Sequence, residues 1–391
     1  MAGVNSSRRP ARSARALRAL HGAARVLDRP VTTATLRDRL AAVTAATGGH
    51  DLDAPADLYG DGVVAELEQH VADLLGTPDA AFFPSGTMAQ QAALRCWAGR
   101  GSDRTVAVHA LSHTQVHESG TLGRLADLLP VPITTAPRPT SAADVREAPE
   151  PFGTLLLELP LRDAGFLLPS WDELVEVTTA ARERGARVHL DGARLWECTT
   201  HLQHPLHEIA ALADTVYVSF YKSLRGLSGA ALAGPRDVVE QARVWRHRYG
   251  GNVFQQFPAA LTALHGLADE LPRLPSHVAH ARVVADALSR ELAAAGAAGA
   301  AINPATPHTH QFQLWLPHPA ALLEEATTRQ AEETGTALFA GPWREPGLPP
   351  GLSYTEITVG REGLGWTEND VRAALRDFLR ILSTTRLPGP G

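Results

Sequence analysis

One lysine in this sequence stands at the end of a strand-like segment, where a permanent positive charge is disfavoured. Lys222 follows the β-branched and aromatic run TVYVSFY and precedes the mainly apolar and small residues SLRGLSGAAL. Burial disfavours the ammonium form, so the pKa of such a lysine falls or its amine is consumed as an imine. Lys222 is therefore a candidate nucleophile. A lysine whose aliphatic stem lies on the domain surface would also fit this position.

Two residues after another strand-like run could hold a protonated heterocycle. In RVHLDGAR, Asp191 ends the run and Arg194 lies three residues further on. A carboxylate at a strand end can face a ring nitrogen and keep it protonated, and an arginine can reach a ring or phosphate oxygen. Taken alone, Asp191 could equally be a helix N-cap.

A third cluster, PSGTMAQQAAL, is a tight turn that opens an amphipathic helix. The amides of Gly86 and Thr87, with the hydroxyls of Ser85 and Thr87, would present hydrogen-bond donors at a helix N-terminus. Such an end binds phosphate groups, because its free amides and its dipole both favour an anion. The turn matches neither Walker A nor GxGxxG, and alone it could be a simple helix cap.

A histidine completes the set of candidate residues. His113 lies in SHTQVHE, after the run VAVHA, and its imidazole could stack on a planar ring. The phosphate cradle, the stacking ring, the Asp–Arg pair and the lysine occur in this order, each after its own strand-like run. Together they are the parts that a pyridoxal 5′-phosphate site requires, so we expect this cofactor.

The elements that must position these residues form an alternating pattern. Apolar, β-branched runs alternate with helical patterns, which predicts an α/β fold with a mostly parallel sheet between helices. Helices are predicted over 62–76 and 170–185, the second opened by a capping box of Ser170 and Glu173. In open α/β sheets ligands bind at the carboxyl ends of the strands, where the four clusters should converge. The predicted strands are AAFFP (80–84), RTVAVHA (104–110), TLLLEL (154–159), RVHLD (187–191), TVYVS (215–219) and AALAG (230–234).

Three parts are predicted along the chain: an N-terminal leader and arm over 1–50, a large cofactor-binding domain over 51–258, and a small C-terminal α+β domain over 259–391. The first thirty residues carry seven arginines and one acid. A transit peptide has this composition, but a disordered leader fits better, because Ala and Arg are frequent throughout the chain. The small domain contains three predicted strands, QFQLWL, GTALFA and TEITVG.

Composition excludes several classes of function. The net charge is −6, and no Lys/Arg stripe is interleaved with aromatic residues, so no nucleic-acid partner is predicted. Cys96 and Cys198 lie far apart and outside any CxxC pair, which argues against a disulfide framework and favours a reducing, cytoplasmic location. No apolar run reaches the roughly eighteen residues of a membrane span, and no secretory signal is evident.

The histidines of HLQHPLH have a spacing that could bind a metal ion. His201, His204 and His207 have i+3 spacing, but a proline interrupts the helix and no carboxylate companion is evident. No metal is therefore predicted.

With these residues in place, the sequence resembles the threonine aldolase and β-eliminating lyase family of fold-type I pyridoxal-phosphate enzymes. The resemblance covers over half of the chain, and the combination of PSGTMA, LDGARL and a strand-end lysine is specific. It is carried by the segments LYGDGVVAELE, FFPSGTMAQQAAL, SHTQVHESG, HLDGARLWE, VYVSFYKSLRGLSGAALAG and YGGNVFQQFP.

The resemblance implies a large domain, a small C-terminal domain, and a dimer or tetramer with shared active sites. The basic stretch RVWRHRYGG resembles a segment that approaches a neighbouring subunit's cofactor. The implied roles are an imine-forming lysine at Lys222, a pyridine-nitrogen partner at Asp191, a ring-oxygen contact at Arg194, a phosphate turn at Ser85, Gly86 and Thr87, and a stacking histidine that assists proton transfer at His113.

Two segments depart from the family pattern. An Asp-Leu-Arg-Ser-Asp-Thr segment, which helps to hold the substrate, has no counterpart around LDRPVTTATLRDRL. Near the C-terminus the family places a carboxylate-binding arginine before a Val-Thr-His run, whereas this chain reads YTEITVGREG with Glu356 at or near that position. The nearest cations in sequence are Arg344 and Arg361.

The reaction implied by the resemblance is cleavage of the Cα–Cβ bond of a β-hydroxy amino acid to glycine and an aldehyde, with His113 as the candidate base. The bond held perpendicular to the cofactor ring is the one that breaks, and the sequence does not fix that orientation. β-Elimination and racemisation therefore stay open, as does a cofactor-binding protein without catalysis.

Overall fold

The computed structural model describes most of the chain, and part of the predicted leader lies outside the described residues. The described ranges are 12–29, 34–101, 103–347 and 350–386.

Contacts within the described part of the chain define two compact units. The first unit is Arg39–Pro272, and the second contains the described residues of Ser7–Asp38 and of Arg273–Gly391. The units divide after Pro272, whereas the sequence-based boundary of the large domain lies at Pro258. The three-part domain assignment stays a prediction.

The described residues form twelve β-strands, numbered here in chain order. They are β1 (Arg25–Val26), β2 (Asp79–Phe83), β3 (Thr105–His109), β4 (Leu129–Thr134), β5 (Thr154–Glu158), β6 (Arg187–Gly192), β7 (Thr215–Ser219), β8 (Ala230–Gly234), β9 (Ala301–Asn303), β10 (Gln311–Leu316), β11 (Thr336–Ala337) and β12 (Ser353–Thr358).

Fifteen α-helices accompany these strands in the described residues. They are α1 (Ala14–Gly22), α2 (Leu36–Ala45), α3 (Val63–Leu75), α4 (Gly86–Arg100), α5 (His113–Val116), α6 (Thr121–Arg124), α7 (Ala142–Arg146), α8 (Trp171–Glu183), α9 (Thr199–Leu202), α10 (Leu206–Ala211), α11 (Arg236–Arg248), α12 (Phe257–Asp269), α13 (Leu274–Ala294), α14 (Ala320–Thr334) and α15 (Glu368–Thr384).

The first unit contains a seven-stranded sheet in the order β2-β8-β7-β6-β5-β3-β4. Strands β4, β3, β5, β6 and β7 are parallel, and β8 is antiparallel to both of its neighbours. The predicted α/β class with a mostly parallel sheet is confirmed. Every strand except β8 runs in the same direction, so the carboxyl ends of β2, β3, β5, β6 and β7 share one edge.

Strand β4 is the one strand of this sheet that the sequence pattern did not predict. Its sequence, LPVPIT, contains two prolines, Pro130 and Pro132. Proline cannot donate a hydrogen bond to a sheet ladder, so it is confined to edge strands. β4 pairs with β3 on one side and forms the sheet edge on the other.

Helix α4 packs closely on the sheet because its inner face carries small residues. Ala89, Ala92 and Ala93 are fully buried against side chains of β2, β8 and α11, including Phe83 and Leu232. α8 begins with the predicted capping box, in which the Ser170 hydroxyl accepts a hydrogen bond from the Glu173 amide at 3.3 Å. These helices hold the strand ends in fixed register.

The second unit has its own core around a three-stranded antiparallel sheet, β12-β10-β9. The core contains the buried aromatic residues Phe312, Phe339, Trp343 and Phe378. The predicted strand QFQLWL is confirmed as β10, and TEITVG overlaps β12. Of the predicted strand GTALFA, only Thr336 and Ala337 form a strand, β11.

The Arg-rich segment 12–29 is folded into the second unit, so the expectation of a disordered leader is wrong for these residues. Helix α1 buries Leu20 in an apolar cluster with Ala331 and Ala337. Arg15 pairs with Glu325 at 2.9 Å and with Glu332 at 2.6 Å. Acidic partners far along the chain thus anchor these arginines, which no local pattern reveals.

Glu356, the residue that departs from the family pattern, lies on β12 in an ion pair. Its Oε1 is 3.1 Å from Nη1 of Arg344, and both side chains are largely buried. Arg344, one of the two cations considered for carboxylate binding, therefore neutralises Glu356 within the second unit.

Candidate active site

The four polar clusters of the sequence meet at the carboxyl edge of the seven-stranded sheet. The turn at Ser85 follows β2, the segment at His113 follows β3, Asp191 is the last but one residue of β6, and Lys222 follows β7. Side-chain contacts link several of these clusters directly. The predicted convergence of four separate segments on one edge is thereby confirmed, whereas their chemical roles stay predictions.

The Ser-Gly-Thr turn begins helix α4. Ser85 is its N-cap, with an extended backbone and a side-chain oxygen that accepts a hydrogen bond from the Met88 amide at 3.3 Å. The α-carbon of Gly86 lies so close to the ring of Tyr217 that a Cβ there would overlap the phenol hydroxyl. Only glycine fits this position, and its amide lies in the first helical turn, where backbone donors lack helical acceptors.

Asp191 is held at the end of β6 by two donors. Its Oδ2 accepts a hydrogen bond of 2.7 Å from Nε2 of Gln90, and its Oδ1 accepts one of 3.2 Å from the amide of Ala193. The carboxylate is 1% exposed. Within the described residues the Oε1 atom of Gln90 is buried without a hydrogen-bond partner. A buried, oriented carboxylate beside an unused polar atom is suited to a ligand that brings a donor.

Lys222 lies in the turn after β7, and its surroundings favour the neutral amine. Burial, and after it the positive charge of the nearby Arg194, lower the pKa of its ammonium group to about 8, while Asp191 and Glu158 oppose the shift. A lysine with a depressed pKa has a larger fraction of nucleophilic amine near neutral pH.

The composition of the chain adds a signal that the motif analysis did not use. Lys222 is the only lysine among the 36 basic Lys and Arg residues of the sequence. Arginine stays protonated in proteins and forms no imine under these conditions, so the two residues are not interchangeable at a nucleophilic position. All the other Lys and Arg positions of the chain are arginine, and the one lysine lies at the edge of the sheet where the candidate site residues meet.

His113 is oriented by carboxylates on both sides. Its amide donates a hydrogen bond of 2.6 Å to Oε2 of Glu158, and its Nδ1 is 3.4 Å from Oε1 of Glu118. Burial alone would raise the pKa of Glu118, but hydrogen bonds from His113, Thr87 and Thr121 outweigh it and lower that pKa. Glu118 therefore connects His113 to Thr87 of the Ser-Gly-Thr turn.

Glu158 ends β5 directly opposite Asp191 on β6. Burial raises the pKa of Glu158, and the negative charge of Asp191 raises it further. The amides of His113 and Arg162 donate to its two oxygens and oppose this shift.

Glu118, Glu158 and Gln90 belong to the site but lie outside the residues that the sequence motifs mark. Glu118 closes the quoted segment SHTQVHE, Glu158 is the last but one residue of the predicted strand TLLLEL, and Gln90 lies one helical turn after Gly86. The available signal was that each of these acid or amide residues lies within a few residues of a predicted site residue or strand end. Their partners lie up to 101 residues away, so the pairs themselves were not visible.

Two arginines of the basic stretch RVWRHRYGG form ion pairs with acidic residues of the same chain. Arg243 pairs with Glu68 at 2.9 Å and with Asp79 at 2.7 Å. Arg246 also contacts Glu68, at 3.4 Å, and donates to the carbonyl of Phe82. These two arginines tie α11 to α3 and β2, and the proposed approach to a neighbouring subunit stays a prediction.

The histidines of HLQHPLH lie elsewhere in the first unit. His204 stacks on Trp171 at 3.6 Å between ring centroids, and its Nδ1 is 2.6 Å from Oε2 of Glu208. In the part of the chain that the structure describes, no group of three or more His, Cys, Asp or Glu residues is arranged to hold a metal ion. No helix among the same residues has the length and apolar character to cross a membrane.

The donor set at the sheet edge fits pyridoxal 5′-phosphate. The Gly86 turn offers amides to a phosphate, Asp191 offers a buried carboxylate to a ring nitrogen, and Lys222 offers an amine of depressed pKa. Arg194 lies near Lys222, with its guanidinium 5.2 Å from the ring of Phe166. Each predicted contact of the cofactor thus has a backbone or side-chain group of suitable chemistry on this edge.

Comparison with protein families gives a match over most of the first unit and beyond. The model of the β-eliminating lyase family matches residues 31–303. The chain is 26% identical over 292 residues to low-specificity L-threonine aldolase 1 of Arabidopsis thaliana, covering 72% of this chain and 79% of that protein. It is 31% identical over 225 residues to the low specificity L-threonine aldolase of Escherichia coli K12, covering 56% of this chain and 67% of the relative.

Solved structures resemble the chain over nearly its whole length. A chain from Listeria monocytogenes, provisionally assigned as an L-allo-threonine aldolase, is 31% identical with a TM-score of 0.84, covering 94% of this chain and 99% of that one. A chain from Exiguobacterium, provisionally assigned as an aromatic amino acid β-eliminating lyase/threonine aldolase, has the same identity and coverage with a TM-score of 0.83. The site geometry and these matches together show that this chain belongs to the β-eliminating lyase family of fold-type I pyridoxal-phosphate enzymes.

Proposed function

We propose that this protein is a pyridoxal-phosphate-dependent lyase that cleaves the Cα–Cβ bond of a β-hydroxy amino acid to glycine and an aldehyde. The observation that carries this proposal is the only lysine of the chain, held with a lowered pKa at the edge that also presents Asp191 and His113. The relatives named as threonine aldolases support the choice of an aldol cleavage.

Each residue of the edge has a task in this proposal. The turn at Gly86 and Thr87 binds the phosphate, and the hydroxyl of Ser85 caps the same turn. Asp191 holds the proton at the ring nitrogen, and Arg194 contacts a ring oxygen. Lys222 would hold the cofactor covalently through its amine. When bound, the cofactor supplies the conjugated ring that accepts the electron pair released at the substrate α-carbon.

In this proposal His113 stacks on the cofactor ring and also assists proton transfer. Its amide is fixed by Glu158 and its Nδ1 faces Glu118, so the ring has little rotational freedom. A histidine held in this way can orient a planar group and move a proton at one nitrogen.

A β-elimination is the second candidate. The Exiguobacterium chain with a TM-score of 0.83 carries both activities in its provisional assignment, which favours this alternative over others. Alignment of the α-hydrogen in place of the Cα–Cβ bond would select it, since the broken bond is the one aligned with the conjugated ring.

Analysis of the products separates these reactions. Purified protein loaded with pyridoxal phosphate is incubated with β-hydroxy, β-substituted and simple amino acids. Glycine plus an aldehyde is the expected result, whereas pyruvate and ammonia indicate β-elimination and an inverted enantiomer indicates racemisation. Failure to transform any of these amino acids would contradict the proposal and favour a cofactor-binding protein without catalysis.

We further propose that the chain acts as a homodimer or homotetramer with shared sites. The first unit exposes Leu58, Tyr59, Val253 and Phe254, each by 44% or more. The rings of Tyr59 and Phe254 are 5.7 Å apart, so these side chains form one apolar patch. Exposed apolar patches mark interfaces in soluble proteins. Light scattering of the parent and of a Tyr59→Ser, Phe254→Ser double variant tests this, and a monomeric parent would refute it.

A small amino-acid substrate and a cytoplasmic location complete the proposal. The net charge of −6 supports a small-molecule substrate over a nucleic acid, and no membrane partner is proposed. Cys96 and Cys198 are both buried free thiols, which suits a reducing compartment. Fractionation of cells that express the tagged protein tests its location.

A further inference from the structure

The segment after β3 contains a second histidine that none of the roles above uses. His117 lies four residues after His113, at the end of α5. The two imidazole rings are 5.2 Å apart between centroids, at an angle of 44°. His117 is therefore a direct neighbour of the ring that is proposed to stack on the cofactor.

His117 is oriented by a carboxylate from the neighbouring segment. Its Nε2 is 2.7 Å from Oδ2 of Asp163, in the segment that follows β5. A carboxylate can only accept, so the proton of this hydrogen bond lies on Nε2 of His117. The bond connects two segments that follow adjacent parallel strands, β3 and β5.

The segment that carries Asp163 is held firmly. Leu161 and Leu167 exchange backbone hydrogen bonds of 2.9 and 3.2 Å, which closes a tight turn around Asp163. The amide of Arg162 also donates to Glu158 at 3.2 Å, which fixes the turn to the site edge. The Asp163 side chain is 12% exposed and the His117 side chain is 30% exposed, so their hydrogen bond lies at an accessible surface.

His113 and His117 differ in the nitrogen that each leaves for a substrate. Nδ1 of His113 faces Glu118, and its ring plane is needed for stacking. In His117 the carboxylate occupies Nε2, which leaves Nδ1 as an unprotonated acceptor in the neutral ring. The His117 side chain is 30% exposed and thus accessible. An imidazole with one nitrogen bound to a carboxylate and the other free to accept is the arrangement of a general base.

We propose that His117, oriented by Asp163, is the catalytic base that accepts the β-hydroxyl proton of the substrate; this rests on the aldol cleavage proposed above. The hydroxyl proton moves to Nδ1 of His117, and the O–H electron pair forms the carbonyl of the aldehyde. The Cα–Cβ bond breaks, and its electron pair stays at the α-carbon, which then takes a proton to give glycine. Asp163 stabilises the imidazolium through Nε2, and His117 returns its proton to water.

The first test examines the hydrogen bond itself in protein without cofactor. Nitrogen-15 NMR of histidine-labelled protein, with the His117 signals assigned by their loss in His117→Gln, reports which ring nitrogen carries the proton. We expect neutral His117 to be protonated at Nε2 alone in the parent, and to lose this preference in Asp163→Ala. A mixture of both forms in the parent would overturn the assignment of Asp163 as the orienting residue.

The second test compares two reactions of the loaded enzyme. Cleavage of a β-hydroxy amino acid needs the hydroxyl proton to be removed, whereas exchange of the glycine α-hydrogen with deuterated water does not. His117→Gln should lower kcat for cleavage by about 10²-fold or more, with glycine exchange and the Kd of glycine unchanged. Asp163→Asn should lower kcat by a smaller factor with little change in KM. Val116→Ala, an exposed position on the same helix, is the matched control for both reactions.

The outcomes separate this inference from the proposed function. Parent protein that releases no aldehyde and glycine refutes the aldol cleavage itself. Parent-like cleavage by His117→Gln, or an equal loss of cleavage and exchange, refutes the role of His117 and leaves the aldol cleavage standing.

Discussion

Lys222 combines an unusual composition with an unusual environment. The same burial that lowers its pKa to about 8 would make an ordinary surface lysine costly at this position. The positive charge of Arg194 adds to the effect of burial, and Asp191 limits it. These opposing charges leave an amine that can be deprotonated close to neutral pH.

Replacement of Lys222 by alanine should abolish covalent attachment of the cofactor and lower turnover by at least about 10³-fold. The protein should stay folded, because one partly buried side chain is lost without a core cavity. Reduction of the parent with borohydride, followed by peptide mass mapping, should place the cofactor on Lys222, the only lysine in the chain. A modified peptide that lacks Lys222 would contradict the assignment, and Lys222→Arg serves as a control that keeps the charge.

Replacement of Asp191 by asparagine should slow turnover by about 10²-fold or more, since an amide does not hold a ring nitrogen protonated as a carboxylate does. Gln90 and the Ala193 amide can still donate to the remaining oxygen, so the fold should persist. Single-turnover kinetics and equilibrium binding of pyridoxal phosphate measure both effects. Parent-like turnover would reduce Asp191 to a structural role.

At the scale of elements, helix α4 connects the turn at Gly86 to Asp191 through Gln90. Gly86 lies at its first position and Gln90 one turn later, so a single rigid helix fixes the distance between the two. The close approach of Gly86 to Tyr217 sets where this helix begins over the sheet. Small changes at the helix start should therefore affect cofactor binding.

Gly86→Ala should weaken pyridoxal phosphate binding by at least about tenfold, because the new Cβ overlaps Tyr217 and displaces the turn. Gly99→Ala, in the same helix, is the matched control. A Cβ at Gly99 meets only Nε2 of Gln241, at 3.8 Å, and alanine favours a helix by roughly 0.5–1 kcal/mol over glycine. Fluorescence titration with the cofactor gives both affinities. Equal affinities for the two variants would show that the turn tolerates displacement.

At the scale of the whole molecule, a buried histidine in the central sheet couples stability to pH. His189 on β6 is fully buried, and its Nδ1 lies 2.9 Å from Oγ1 of Thr215. Burial lowers the pKa of His189 to about 3, with only a hydrogen bond to Thr215 opposing it. In the unfolded chain the His189 imidazole takes up a proton near pH 6.5, whereas in the folded chain it stays neutral down to about pH 3.

The stability that His189 contributes is therefore complete above about pH 6.5 and is lost progressively as the pH falls towards 3. Between pH 8 and pH 5 the linkage amounts to about 2 kcal/mol in the free energy of unfolding. Urea unfolding of the parent at both values should show this loss in excess of that of His189→Gln, which cannot titrate. Equal losses in the two proteins would mean that His189 is protonated within the fold.

The sequence by itself determined the class of the fold and the candidate cofactor site. The sequence predicted six strands of the large sheet, because strands that are buried on both faces have nearly continuous apolar runs. These strands are β2, β3, β5, β6, β7 and β8. Strand-end residues such as Lys222 and Asp191 could be assigned to one edge, since parallel strands in a sheet end on the same side. β4 was missed because its prolines are tolerated only at the sheet edge.

The tertiary structure alone decided which groups are partners. His117 and Asp163 are 46 residues apart. Glu118, which follows β3, forms a hydrogen bond with Thr87, which follows β2. Likewise, the arginines of α1 find their acids about 310 residues further on, which turned an expected disordered leader into part of the second unit. Local patterns encode helices and strands through short-range periodicity. The pairing of charges between distant segments depends on how the strands are ordered and how the helices pack, and no single-sequence pattern carries that information.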